Sequence, residues 1–168
     1  MTVFKTLILD VDGVLTDGKF HYSELGKIYK VFGPDDNDAL QLLDQFFEIV
    51  FVSADHRGFE ISKKRIVDDM KRPLFLVEGK KRIQWIKERY NPKEVIYIGD
   101  GIFDFLVFKE VGYSIAPSNA SSLITSDANY VSKYIGSERF VADSVYHILK
   151  EILGISDIKL LIKETYGL

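Results

Sequence analysis

The 168 residues suffice for one compact domain with a genuine core and are too few for two comfortable ones. With 46% hydrophobic and 28% charged residues and a net charge of -3, the composition is that of a soluble globular protein without a polyanion-binding surface, so nucleic acid is not an expected partner. The absence of cysteine excludes a disulfide framework or a thiolate metal site and fits a reducing compartment, which makes the cytoplasm the expected location.

No stretch approaches the ~20 apolar residues that span a bilayer, and the start MTVFKTLILD reaches an acid too soon for a secretory signal, so no membrane association is expected. The first apolar run, Leu7-Ile8-Leu9, reads as a strand and ends in Asp10-Val11-Asp12-Gly13. Period two in an extended chain sends Asp10 and Asp12 to one side while Val11 points into apolar packing. Two carboxylates facing one small volume imply a shared cation, a shared proton or both; solvated turn acids are the plainer alternative, since Asp-Gly is common turn chemistry.

Lys19–Phe32 alternates apolar and polar residues on either side of Glu24-Leu25-Gly26, the pattern of a β-hairpin turning near the glycine. Its apolar residues need a cover, either a partner subunit or the domain itself. A helix is predicted over about 36–46, then a strand at Ile49–Val52 that ends in Ser53, whose hydroxyl is suited to a phosphate oxygen or simply to a turn. After a helix over about 58–68 and a strand at Leu74–Val77 comes Glu78-Gly79-Lys80-Lys81-Arg82, opening a helix over about 79–90. Cations suit a helix N-terminus poorly, so this cluster reads as anion-facing or as a solvated charge run.

The strand Val95–Ile98 runs into Gly99-Asp100-Gly101-Ile102-Phe103-Asp104, with Asp104 also explicable as an N-cap of a helix over about 103–110. A strand at Tyr113–Ile115 and two tail helices, about 138–153 and 156–166 with Gly154 between them, complete the reading. This β-α alternation predicts an α/β fold, a Rossmann-like doubly wound parallel sheet with ligand-facing loops at the carboxyl ends of its strands, as one domain over 1–168.

In chain order the strand ends carry acid-x-acid, hydroxyl, lysine and acid-x-x-x-acid. That combination resembles the haloacid dehalogenase superfamily, over nearly the whole chain. The resemblance implies Asp10 as a nucleophile that forms an aspartyl-phosphate and Asp12 as the general acid and base. It implies Mg2+ held by Asp10, the Asp12 carbonyl and Asp100, with Asp104 nearby, and a phosphoryl clamp of Ser53 with Lys80 or Lys81, Lys80 being the first choice. Ser53, Ala54, His56 and Arg57 are the expected substrate-binding set.

The intervals between motifs leave no room for a cap domain. DVDGVLTDG, the hairpin with Gly26-Lys27 and Lys30-Val31-Phe32, and Asp36-Asn37-Asp38-Ala39 resemble the capless branch of phosphatases acting on 3-deoxy-D-manno-octulosonate 8-phosphate and on nonulosonate 9-phosphates. The resemblance implies a homotetramer assembled through the hairpins and a phosphorylated 2-keto-3-deoxy sugar acid as substrate. Another small sugar phosphate, or a catalytically weak partner domain of a sugar-acid cytidylyltransferase, are the alternatives. The chain departs from the branch at four places: Ser53-Ala54-Asp55-His56-Arg57 replaces Thr-Gly-Arg, Asp36-Asn37 replaces Asp-Gly, Gly136-Ser137-Glu138-Arg139 replaces GG-x-G, and Gly99-Asp100-Gly101 replaces GDD.

Overall fold

In the computed structural model, which describes residues 3–167, the first strand β1 (Thr6–Asp10) is buried along its whole length. A hairpin follows, β2 (His21–Ser23) and β3 (Gly26–Tyr29), antiparallel and separate from the main sheet, with Gly26 at φ +112° in its turn. The chain then forms α1 (Asp36–Gln41), β4 (Glu48–Ser53), and α2 (Phe59–Lys63), which continues as a π-helix over Lys64–Asp69. Next come β5 (Leu74–Leu76), α3 (Arg82–Lys87), β6 (Val95–Ile98), α4 (Phe105–Phe108) and β7 (Tyr113–Ala116). The remaining elements are α5 (Ser122–Thr125), β8 (Tyr130–Val131), α6 (Phe140–His147) with a π-helical extension over Ile148–Ile152, and α7 (Ile158–Tyr166).

Six strands make one parallel sheet in the order β5-β4-β1-β6-β7-β8. The chain steps outward from β1 to β4 and β5, then returns to the other side of β1 for β6, β7 and β8. That reversal opens a crevice beside the carboxyl end of β1. The register sets Asp10 opposite Val52, and Leu9 opposite both Phe51 and Ile98, so the residues that follow these three strands emerge together.

Alternation along the strands supplies two cores. Leu7, Leu9, Ile49, Phe51, Ile96 and Ile98 pack with the side chains of α1 and α6, while Ile8, Val50, Val52, Val95 and Tyr97 pack with those of α3 and α4. Strands covered on both faces must be apolar at consecutive positions, which is why their sequences read as unbroken runs. Each such side chain contributes about 1.5–3 kcal/mol on burial, making β1 a stiff mount for whatever follows it.

The fold is the doubly wound α/β sheet with a protruding hairpin and no cap that the sequence implied. Three details differ. β5 is an edge strand with Phe75 and Leu76 about two-fifths exposed, not a buried run, because no strand lies beyond it. β8 has two residues, too few for any pattern. The helices anticipated from 79 and 103 begin as 3-10 turns, Gly79–Lys81 and Ile102–Asp104, which changes which side chains face the crevice.

Candidate active site

Asp10 leaves the end of β1 with its Oδ1 accepting the Val11 N–H at 2.7 Å and its Oδ2 accepting from Arg82 Nη1 at 2.7 Å. The chain turns at Gly13, where φ is +88° and a Cβ would stand 2.0 Å from Asp100 Oδ2. The missing side chain lets the loop after β6 lay Asp100 against the loop after β1. Oxygens of Asp10, Asp100 and Asp104 thereby lie within 4.8 Å of one another.

Crowding shows in their protonation. Burial pushes the Asp10 carboxyl up to about 6, with Arg82 offsetting part of the effect. Asp100 is pushed up to about 8 by burial, reinforced by the negative charge of Asp10 and Asp104. Asp100 stays charged near neutrality only beside additional positive charge.

Some of that charge is built in. The Arg82 side chain is 3% exposed, and its Nη1 lies 2.8 Å from Asp104 Oδ1 and 2.7 Å from Tyr97 Oη as well as on Asp10. Tyr97 in turn donates to Asp104 Oδ1 at 2.8 Å, and Asp104 Oδ2 accepts the N–H groups of Asp100 and Gly101 at 3.1 and 2.9 Å. Asp104 is thus a structural anchor of the loop after β6 as much as a metal candidate. The acids around Arg82 hold its guanidinium charged, against the effect of burial.

Lys80 and Lys81, expected at the phosphoryl clamp, make other contacts among the described residues. Lys81 pairs with Glu78 at 3.2 Å on the surface, and Lys80 Nζ sits 5.4 Å from the centre of the Phe103 ring. Arg82 follows the opening 3-10 turn as the first residue of α3, and it is this third cation of the cluster that meets the Asp10 and Asp104 carboxylates.

A second ion network approaches from the hairpin. Lys30, immediately after β3, has its side chain 2% exposed and places Nζ 2.7 Å from Asp12 Oδ1 and 2.9 Å from Asp55 Oδ2. Lys27 also pairs with Asp55. Burial alone would raise the Asp55 carboxyl, but hydrogen bonds from Lys27 and Lys30 prevail and hold it down at about 2. Neither lysine was singled out as a site residue from the sequence, since charges on a hairpin read as solvated. The only available signal was lysine recurring at 27 and 30 among apolar neighbours.

Ser53 is fully buried; its Oγ donates to Asp12 Oδ2 at 3.1 Å and accepts the Asp55 N–H at 3.1 Å. Ala54 lines a cavity of about 310 Å3 together with Asp10, Asp12, Phe20, Asp55 and Arg82. His56 and Arg57 are not among these lining residues. His56 lines a neighbouring groove with Trp85, and Arg57 Nη1 donates to Tyr22 Oη at 3.2 Å on the hairpin surface. Phe20, exposed at the mouth with the Lys27 ammonium 4.3 Å from its ring centre, takes the wall position instead.

The site can therefore present a carboxylate nucleophile, a second carboxyl beside it, and an acidic pocket suited to a hard cation. A family model described as haloacid dehalogenase-like hydrolase matches residues 81–142. The 3-deoxy-D-manno-octulosonate 8-phosphate phosphatase KdsC of Salmonella typhi is 29% identical over 149 residues, covering 83% of this chain and 76% of that protein. A putative haloacid dehalogenase superfamily hydrolase of subfamily III A from Legionella pneumophila superposes with a TM-score of 0.82 at 26% identity, over 98% of this chain and 90% of that one. The fold is shared too with the octulosonate 8-phosphate phosphatase of Moraxella catarrhalis, solved with magnesium, phosphate and KDO (TM-score 0.80, 21% identity, 96% and 94% coverage). Residues 81–142 thus match the haloacid dehalogenase-like hydrolases, and the relatives and structural neighbours are consistent with the capless branch of that class. The chain is a phosphatase, similar to the octulosonate 8-phosphate phosphatases.

Proposed function

We propose that this chain is a Mg2+-dependent phosphomonoesterase that hydrolyses a phosphorylated 2-keto-3-deoxy sugar acid of the octulosonate 8-phosphate or nonulosonate 9-phosphate type. The observation that carries the reading is Asp10 fixed at the end of a fully buried strand, with Asp12 beside it on the same cavity wall. In this mechanism the Asp10 carboxylate attacks phosphorus, the bond to the leaving oxygen breaks, and Asp12 delivers a proton to that oxygen. Asp12 then takes a proton from water as it attacks the aspartyl-phosphate, releasing phosphate and restoring Asp10. Arg82 keeps the Asp10 carboxylate in one orientation throughout, and Ser53 orients Asp12.

The acids fit a divalent cation. Three clustered carboxylates against one guanidinium leave two negative charges, and burial, reinforced by the neighbouring carboxylates, raises the protonation of Asp10 and Asp100. Asp10, Asp100 and the Asp12 carbonyl would hold the ion, with Asp104 beside them, and oxygen donors of this kind suit Mg2+. When bound it would neutralise and align the phosphoryl oxygens. Steady-state phosphate release from a panel of sugar acid phosphates, with Mg2+ present and then chelated, tests the reading. No release from any member, or release indifferent to chelation, would overturn it.

One observation favours a second reading of the substrate. Where the similar branch reads Thr-Gly-Arg this chain has Ser53-Ala54-Asp55, the usual arginine being replaced or displaced to Arg57, and Asp55 lines the cavity. A neutral sugar phosphate suits that wall better, and a higher kcat/KM for such a compound than for the sugar acids would decide for it.

The reading extends to assembly. Residues 1–168 act as one domain in a cytoplasmic homotetramer joined through the hairpin, whose Tyr22, Leu25, Ile28 and Tyr29 remain exposed. No helix among the described residues is long and apolar enough to cross a membrane. Sedimentation gives four chains under this reading, and Ile28→Glu gives a smaller species; a wild-type monomer would remove the inference.

A further inference from the structure

We propose that Lys30, carried by the hairpin, is the positioning residue that holds the Asp12 carboxyl in line with the leaving oxygen; the proposal rests on the phosphatase reading above. An ammonium has three N–H donors, and Lys30 meets three acceptors: Asp12 Oδ1, Asp55 Oδ2, and Ser62 Oγ at 2.7 Å. Its capacity is filled by the protein, so its role is internal to the site rather than to grip phosphate. Ser53, at the end of β4, holds the other Asp12 oxygen. Asp12 is therefore fixed from two sides, one oxygen from the sheet and one from the hairpin.

The backbone is shaped around this junction. At Gly58 a Cβ would stand 2.3 Å from Asp55 Oδ2, 2.7 Å from Lys30 Cε and 2.8 Å from Lys27 Cδ, so the absence of a side chain there admits both lysine stems. A buried ammonium stripped of its partners is strongly unfavourable, and Asp12 and Asp55 would lose their countercharge with it. The hairpin cannot lift from the domain without releasing Asp12. Seating of the hairpin and orientation of the proton donor are one equilibrium.

Proton delivery matters only to a leaving group that needs it. The alkoxide of a sugar phosphate must be protonated as it departs, whereas p-nitrophenolate leaves without a proton. Lys30→Met is therefore assayed by kcat/KM on p-nitrophenyl phosphate and on the sugar phosphate that the wild-type chain hydrolyses fastest. The expected result is a loss of ~10²-fold or more on the sugar phosphate, within the span of general acid catalysis, and only a small loss on the aryl ester. In an Asp12→Asn background, Lys30→Met adds no further discrimination between the two.

Equal losses on both esters, as any general loosening of the fold would give, or no loss on either, overturn the proposal. If Lys30→Met does not fold, Gly58→Ala keeps every charge while displacing the Lys30 stem; it is expected to shift the ratio in the same direction, and an unchanged ratio overturns the proposal. A wild-type chain inert toward both esters overturns the phosphatase reading instead, and does so before any variant is made.

Discussion

Arg82 and Lys30 each bring a buried positive charge to an aspartate at the end of β1, but they come from unlike places. Arg82 stands on the first turn of α3, held between Asp10, Asp104 and the buried Tyr97 hydroxyl, all mounted on the central sheet. Lys30 hangs from a hairpin whose Tyr22, Leu25, Ile28 and Tyr29 are exposed, and reaches Asp12 and Asp55 through a gap left by Gly58. The nucleophile thus takes its cation from the first turn of α3, whereas the proton donor is held on one oxygen by Ser53 of the sheet and on the other by Lys30 of the hairpin.

The largest effect that would test this division falls on Asp10. Asp10→Asn is expected to lower turnover by at least ~10³-fold while the melting temperature holds or rises, because burial already disfavours the carboxylate there. Near-normal phosphate release would remove Asp10 from the chemistry. Next comes Arg82→Ala, which leaves two buried carboxylates without their guanidinium and is expected to lower stability in urea unfolding by about 3 kcal/mol. Lys27→Met takes one of two lysines from Asp55 and should lower stability by only about 1 kcal/mol, since Lys30 remains. A loss as large as that for Arg82 would erase the contrast between sheet-mounted and hairpin-borne charge.

A buried acid with no cation sharpens the comparison from the other side. Asp36 is 4% exposed, and burial pushes its carboxyl up to about 7 against a weaker opposing effect of the Ala142 backbone. The folded state then binds a proton that the unfolded chain, near 3.8, releases. Stability accordingly falls as pH rises from about 4 to about 7 and is level above. Asp36→Asn removes this slope and should gain up to about 4 kcal/mol above neutrality, with no gain near pH 4. Matching pH–stability curves for the two chains would show that Asp36 finds a partner after all.

The same division governs what the sequence reveals. β1, β4 and β6 are legible because covering both faces forces apolar residues at every position, and the acids and the serine stand out against that background. β5 carries the same residue types at an exposed edge, and a three-residue run cannot tell the two situations apart. The resemblance points to Lys80 or Lys81 and leaves Arg82 aside, because which cation faces the crevice depends on helical phase, and a 3-10 opening turn shifts that phase. Lys27 and Lys30 were silent for a different reason: their partners, Asp12 and Asp55, lie far off in sequence, so nothing local distinguishes a buried lysine on a hairpin from a solvated one.

Trp85 lies one helical turn beyond Arg82 on α3, tilted against Phe75 and Tyr90, with the Arg89 guanidinium 4.7 Å from its ring centre. It is the sole tryptophan of the chain. Its indole emission therefore reports on a single helix, the one that positions the guanidinium between Asp10 and Asp104. Titrating Mg2+ or phosphate while watching that fluorescence offers an optical record of events at the acids, with no label attached and no turnover required.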